Sequence, residues 1–427
     1  MKSFTLLMAL FVPASLAYSA DLAGWPQWRG PHGNGISDAK NPPVKWSKDE
    51  NVLWRKALPG PAGATPVLWN NRIFLTTVDG DKLLLMCFDT AGNERWRRQV
   101  AVGNKDVRGD EGNSASPSPL TDGKHVWTFM ANGVLACYDR DGNETWKFDV
   151  QDRYGKLNIM FGMTSTPLLH KGRLYLQLIH GDGNPVTREA VVICLDAATG
   201  KEVWRHDRLS DARDECEHSY ASPALYSDDK QSFLLVHGAD CITAHRLEDG
   251  AEIWRCGELN PKVDYNPTLR LIASPTAVPG LIVVPTAKGG KVLGLRPDGK
   301  GDITDSQEFV QWTLPRNTPD VPSPLVKDGL VYLCRENGNL MVLDAKSGKK
   351  FYEERTTADR HRASPIYAEG KIYLTARKGI VTVVKAGRKF EILAQNDIGE
   401  PISSTPVIVG DRIYLRSFDA LWAIGAK

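Results

Sequence analysis

The stretch Cys194-Leu195-Asp196-Ala197-Ala198-Thr199-Gly200-Lys201-Glu202-Val203-Trp204-Arg205 decides the fold of this 427-residue chain. It reads as an apolar strand ending in Asp, a tight turn carrying Gly, and a second strand ending in Trp and a basic residue. Close variants run from Cys87 to Arg97, Cys137 to Lys147 and Arg246 to Arg255. Upstream of each hairpin lie two further runs. One opens on a Ser/Thr-Pro step, and the other alternates, as in Gly172-Arg173-Leu174-Tyr175-Leu176. The step recurs at Pro66, Pro119, Pro167, Pro223, Pro275, Pro324, Pro365 and Pro406, at spacings of 53, 48, 56, 52, 49, 41 and 41 residues. Four short antiparallel strands per unit of this length form a propeller blade. Pro suits the start of the first strand, where its missing N–H leaves no ladder bond unmade. Trp54, Trp96, Trp146, Trp204, Trp254 and Trp312 are expected to anchor blade to blade as large apolar groups.

Eight steps predict an all-β, eight-bladed β-propeller of four-stranded antiparallel blades. The last unit ends after Leu421-Trp422-Ala423-Ile424 without a fourth strand, while Asn51-Val52-Leu53-Trp54-Arg55 near the front carries the same Trp-Arg ending. The N-terminal strand is therefore expected to close the last blade, which removes a free sheet edge. The expected organisation is a signal peptide over 1–20, an N-terminal extension over 21–50 and the propeller over 51–427.

At these residues the chain resembles the pyrroloquinoline-quinone (PQQ) repeat family, whose unit ends in Asp-x-x-Thr-Gly-x-x-x-Trp. Asp196, Thr199, Gly200 and Trp204 match it in full. Asp89 with Trp96, and Asp139, Gly142 and Trp146, match with shortened turns, and Asp249, Gly250 and Trp254 match in part. Blade six has Tyr352 in place of Trp, and blades seven and eight lack it. The opening Trp25-Pro26-Gln27-Trp28-Arg29-Gly30-Pro31 is similar to the start of exported PQQ-like propellers of planctomycete type. The resemblance implies the quinoprotein alcohol dehydrogenase-like fold. It leaves activity open, because the family mixes PQQ-dependent dehydrogenases with propellers that bind no quinone.

Composition narrows the partners. Hydrophobic residues make up 42% and the formal net charge is +2, which removes the electrostatic argument for nucleic acid or an anionic membrane surface. The run from Phe4 to Ala17 is almost free of polar side chains and is followed by small residues, as in a secretory signal peptide cleaved after Ala17 or slightly later. It is shorter than the roughly 20 residues a membrane span needs. Export to the periplasm or medium is expected, with a monomeric product. Seven cysteines is an odd number for an exported protein. Cys87, Cys137 and Cys194 occupy equivalent repeat positions and read as buried packing residues. Cys241 and Cys256 flank the turn Glu248-Asp249-Gly250, where a disulfide across the hairpin is one reading.

Connectors between blades, counted from the Trp or its stand-in to the next Ser/Thr-Pro step, span 22, 20, 18 and 20 positions after Trp96, Trp146, Trp204 and Trp254. After Trp312 and Tyr352 they span 11 and 12. Function tends to sit on long loops held by a rigid scaffold. On that face His180, His237, Lys288, Arg335, Arg377 and Arg416 occupy the corners between strands two and three. His218, Tyr220, Arg270, Arg360, His361 and Arg362 approach the first strands. Converging on the central funnel they would form a basic ring for an anionic small molecule or acidic peptide, balanced by Asp110, Glu111, Asp214, Glu215, Glu217, Asp240 and Asp264. No nucleophile elbow, HExxH, Walker loop or dinucleotide fingerprint occurs, and no metal site is expected. Three functions follow. The first is a binding or scaffold propeller with a ligand or protein partner at the loop face. The second, which the resemblance implies, is a dehydrogenase with PQQ and calcium in the funnel. The third is a lyase or hydrolase using His218 with Tyr220.

Overall fold

The computed structural model describes residues 24–108, 112–180 and 189–426; the expected signal peptide lies outside them. Each repeat folds as its residues dictate. In blade three Leu168–His170, Arg173–His180, Glu189–Asp196 and Glu202–Asp207 form one antiparallel sheet in chain order from axis to rim. The other repeats do the same, giving eight blades around one axis. Val52–Ala57 pairs with Ala420–Ile424 as the outer strand of blade eight, with Trp54 opposite Ala423. An eight-bladed propeller closed by its N-terminal strand is thus the observed fold. Among the described residues no helix is long and apolar enough to cross a membrane.

The tryptophans join blades by one repeated contact. Trp96, Trp146, Trp204 and Trp312 each donate their indole N–H to a turn carbonyl of the next blade, at Arg140, Ala197, Leu247 and Ala345, over 2.9 to 3.1 Å. Trp54 donates to Thr90 at 3.0 Å and so joins blade eight to blade one. The ring face lies over the turn glycine. A Cβ added at Gly200, whose φ is 66°, would sit 2.9 Å from the Trp146 ring, so the turn must be both left-handed and bare.

Blade seven places Ala394 in the tryptophan register, opposite Val383. Its gap is filled from outside the repeat. Trp46 of the extension is buried and stacks on Tyr373 at 6.5 Å. Tyr373 corresponds in register to Phe74, Tyr175 and Tyr414, which lie against Trp96, Trp204 and Trp54. Asn396 holds the visitor, accepting from the Trp46 amide at 2.9 Å and donating to Val44 O at 2.9 Å.

The Ser/Thr-Pro step has a second purpose at the axis. The amide of Thr65 donates to Ser118 Oγ, that of Ser118 to Thr166 Oγ1, and so on through Ser222, Ser274, Ser323, Ser364 and Thr405, whose amide returns to Thr65 Oγ1. The eight bonds are 2.8 to 3.3 Å long and close a circle of one bond per blade. Ser222→Ala strands the buried Thr166 amide and is expected to cost about 1–3 kcal/mol in denaturant unfolding. Ser222→Thr should recover most of it, since Thr already serves at 65, 166 and 405. An alanine variant as stable as the parent would contradict the role of the circle.

The cysteine hairpin corrects one expectation. Ile242, not Cys241, lies opposite Cys256, so the two thiols point to opposite faces of the sheet and no disulfide forms. Cys241 instead takes a contact from the Arg208 guanidinium at 2.8 Å. All seven cysteines are free and buried.

Candidate functional site

The channel through the ring is crossed by the N-terminal segment. Gly24–Trp25 pairs antiparallel with Leu68 and Trp69 on the inner edge of blade one, and Ile36–Ser37 pairs parallel with Tyr367 and Ala368 on the inner edge of blade seven. Between them Arg29 is buried and donates to Thr276 Oγ1 at 2.7 Å, to Asn34 O at 3.0 Å and to Pro324 O. Burial pulls its guanidinium down to about 9, so it stays charged at neutral pH. Trp28 borders the cavities on both sides of this crossing. One is the funnel at the connector face, about 620 Å³. The other, about 1100 Å³, lies on the opposite side against the inner strands of blades two to five.

The connectors build two charged walls around the funnel. On one, Phe161 lies between Arg108 and Arg270, whose guanidinium carbons are 4.2 and 4.4 Å from its ring centre. Glu215 pairs with Arg270 at 2.5 Å, and the Phe161 amide donates to the Tyr220 hydroxyl at 3.3 Å. On the other wall Glu336 receives three cations: Lys288 at 3.3 Å, and Arg360 and Arg362 each at 3.5 Å. Asp320 lies against Glu336. Burial, then the neighbouring Glu336 carboxylate, pushes Asp320 up to about 6. Burial acts the same way on Glu336, but the hydrogen bond from Asp320 and the charges of Arg362 and Lys288 outweigh it and hold Glu336 below its usual range. The lining thus offers five cations against three carboxyls, one of which keeps a proton into mildly acidic solution.

Of the expected ring, Tyr220, Arg270, Lys288, Arg360 and Arg362 line the funnel together. The others stand in the walls or between blades. His180 is buried, 3.6 Å from Glu189, and burial lowers it to about 4 with His218 adding repulsion. His218 is buried as well. His237 is inaccessible to solvent and lowered by burial to about 3. His361, within hydrogen-bond distance of Asp359 O at 3.1 Å, is lowered by burial to about 4. His180, His237 and His361 are therefore neutral at pH 7. Arg335 turns back to Glu353 on its own blade at 3.0 Å. Arg377 lies over Phe418, 4.1 Å from its centre. Arg416 is fully buried at the seam of blades eight and one, donating to Ala62 O and, at 3.2 Å, to Thr77 Oγ1.

Among the balancing acids Glu215 reaches the funnel, Asp240 is buried beneath the Tyr265 hydroxyl at 2.5 Å, and Asp110 and Glu111 lie outside the described residues. Trp28, Arg108, Phe161, Asp320 and Glu336 are lining residues that the repeat pattern does not mark. For Glu336 a signal exists: it follows the corner residue Arg335, and alternation turns adjacent side chains to opposite sides.

Three overlapping stretches, residues 38–175, 131–307 and 304–426, match the family described as outer membrane protein assembly factor BamB. The chain is 25% identical over 199 residues to a polyvinylalcohol dehydrogenase from a Pseudomonas species, a match covering 43% of this chain and 29% of the relative. It is also 25% identical over 241 residues to BamB of Yersinia pestis, covering 54% of each. These matches span about half or less of the relatives' own length. The solved structure of a europium-containing methanol dehydrogenase shares the fold with a TM-score of 0.69 at 12% identity, covering 93% of this chain and 90% of that one.

Proposed function

Because the chain belongs to the PQQ-like repeat β-propeller family that the BamB description represents, we propose that it is an exported binding or scaffold propeller whose funnel and loop face take an anionic ligand or a protein partner. One observation carries this reading: the funnel is a cavity lined by Arg108, Arg270, Lys288, Arg360 and Arg362. A pocket of this volume suits a ligand of small-molecule size, and its charged lining suits an anionic one. The apolar run at Phe4 to Ala17 and the relative named as an outer membrane assembly factor support export and a protein partner.

The dehydrogenase reading is favoured by the relative and the solved structure named as dehydrogenases. The lining fits only half of what it requires. The cations suit the carboxylates of a quinone such as PQQ. Calcium needs six to eight oxygen ligands, and among the described residues no three acidic, His or Cys side chains converge. Glu336 is already engaged by three cations, and Asp320, pushed up to about 6, lies against it. The metal does not fit these residues. The lyase or hydrolase reading rests on Tyr220 at the funnel wall and on His218, which is buried.

Titration of PQQ with and without calcium, followed by dye-linked oxidation of primary alcohols and sugars, separates the readings. Binding independent of calcium and no turnover is the expected result. Calcium-dependent turnover would replace the binding reading with the enzymatic one.

A further inference from the structure

One carboxylate, Glu336, gathers three cations at the funnel wall, with Asp320 against it. At the Glu336 cluster Lys288 and Arg360 are 69% and 61% exposed, whereas Arg362 and Glu336 are 16% and 13% exposed. The two outer cations can therefore swing to a solute in the funnel, while the inner pair stays in place. Glu336 and Asp320 acquire, on such a swing, a negative neighbour in exchange for positive ones. Two carboxyl groups in contact within a partly dry wall resist a further negative charge and answer by binding a proton.

Resting on the anionic-ligand reading above, we infer that the funnel binds a small oxyanion, a carboxylate or its like, at Lys288 and Arg360, and that the Asp320–Glu336 pair takes up a proton as the anion arrives. The groups that face the pair are Lys288, Arg360 and Arg362. Without ligand, Asp320 releases its proton around pH 6. With the anion bound it holds the proton to higher pH. Between these limits binding consumes one proton, so affinity falls as pH rises, by at most about tenfold per pH unit. Below pH 6 the pair is already protonated, and affinity levels off.

The test is calorimetry of the full chain with oxalate and, separately, sulfate, both fully ionised between about pH 5.5 and 8. Each titration is repeated in two buffers of different ionisation enthalpy. Expected are uptake of between half and one proton per anion at about pH 7 and a Kd roughly 10- to 100-fold weaker at pH 8 than at pH 6. Asp320→Asn, which keeps the shape and removes the titrating oxygen, should bind with one Kd across that range and no proton uptake. Its melting curve is checked to be unchanged. Binding with no proton exchange in the parent protein overturns this inference and leaves the anion reading standing. No binding of either anion at any pH overturns both.

Discussion

A chain lacking residues 24–57 is expected to lose cooperative folding altogether. Those residues supply the outer strand of blade eight, the Trp54 contact that joins blade eight to blade one, the Trp46 that fills the seam beside blade seven, and the buried Trp25 and Arg29 at the axis. Truncating a single buried tryptophan costs about 3–5 kcal/mol. Losing two such residues and the half-buried Trp54, together with the ladder of one blade, is comparable to the roughly 5–15 kcal/mol that a domain has in total. The outcome should be visible as loss of the melting transition in circular dichroism and as rapid proteolysis. A cooperative transition within a few degrees of the parent would mean that the blades close without the N-terminal strand. Trp46→Ala alone should melt earlier yet still cooperatively, because the ring itself remains closed.

The second large effect belongs to Trp254. It is wholly buried between blades four and five, edge-on to Phe233 at 6.1 Å, and packed with Ile303 of the blade-five insertion. Trp254→Ala is expected to lower stability by about 3–5 kcal/mol, read from the urea midpoint. Its replacement by Phe distinguishes it from its counterparts. The Trp254 indole N–H meets no protein acceptor among the described residues, whereas that of Trp204 donates to Leu247 O at 2.9 Å. Trp204→Phe removes a donor from a turn carbonyl and should therefore cost about 1 kcal/mol more than Trp254→Phe beyond the shared loss of volume. Equal costs at the two positions would show that these indole hydrogen bonds add nothing to the ring.

What could be read beforehand follows from where the information is stored. Blade hairpins are local: Asp196, Gly200 and Trp204 state a turn and an anchor within nine residues, so fold, blade number and closure by Val52–Ala57 were all legible. The substitute anchor Trp46 was not, because it belongs to blade seven in space and to the extension in sequence. The Ser/Thr-Pro step was visible eight times. Its proline was explained and its hydroxyl was not, since an amide-to-hydroxyl circle exists only after closure. Corner positions predicted the funnel only where the chain leaves the strand. Lys288 projects from a loop into the cavity, whereas Arg335 and Arg416 sit at strand ends whose neighbours, Glu353 and the Ala62 carbonyl, capture them. Arg108, Phe161 and Asp320 come from irregular connectors that carry no period.

The circle of hydroxyls also explains an irregularity in the chain. Repeat lengths range from 41 to 56 residues, yet the blades keep one ring. Each blade is indexed to its neighbour at the axis, by one short bond whose geometry is indifferent to what happens at the perimeter. Connectors are consequently uncoupled from the gauge of the ring. New sequence grafted into short ones, such as those after Trp312 and Tyr352, would enlarge the mouth of the funnel without resetting the spacing of the blades, which makes that arc the natural place to install a designed recognition loop.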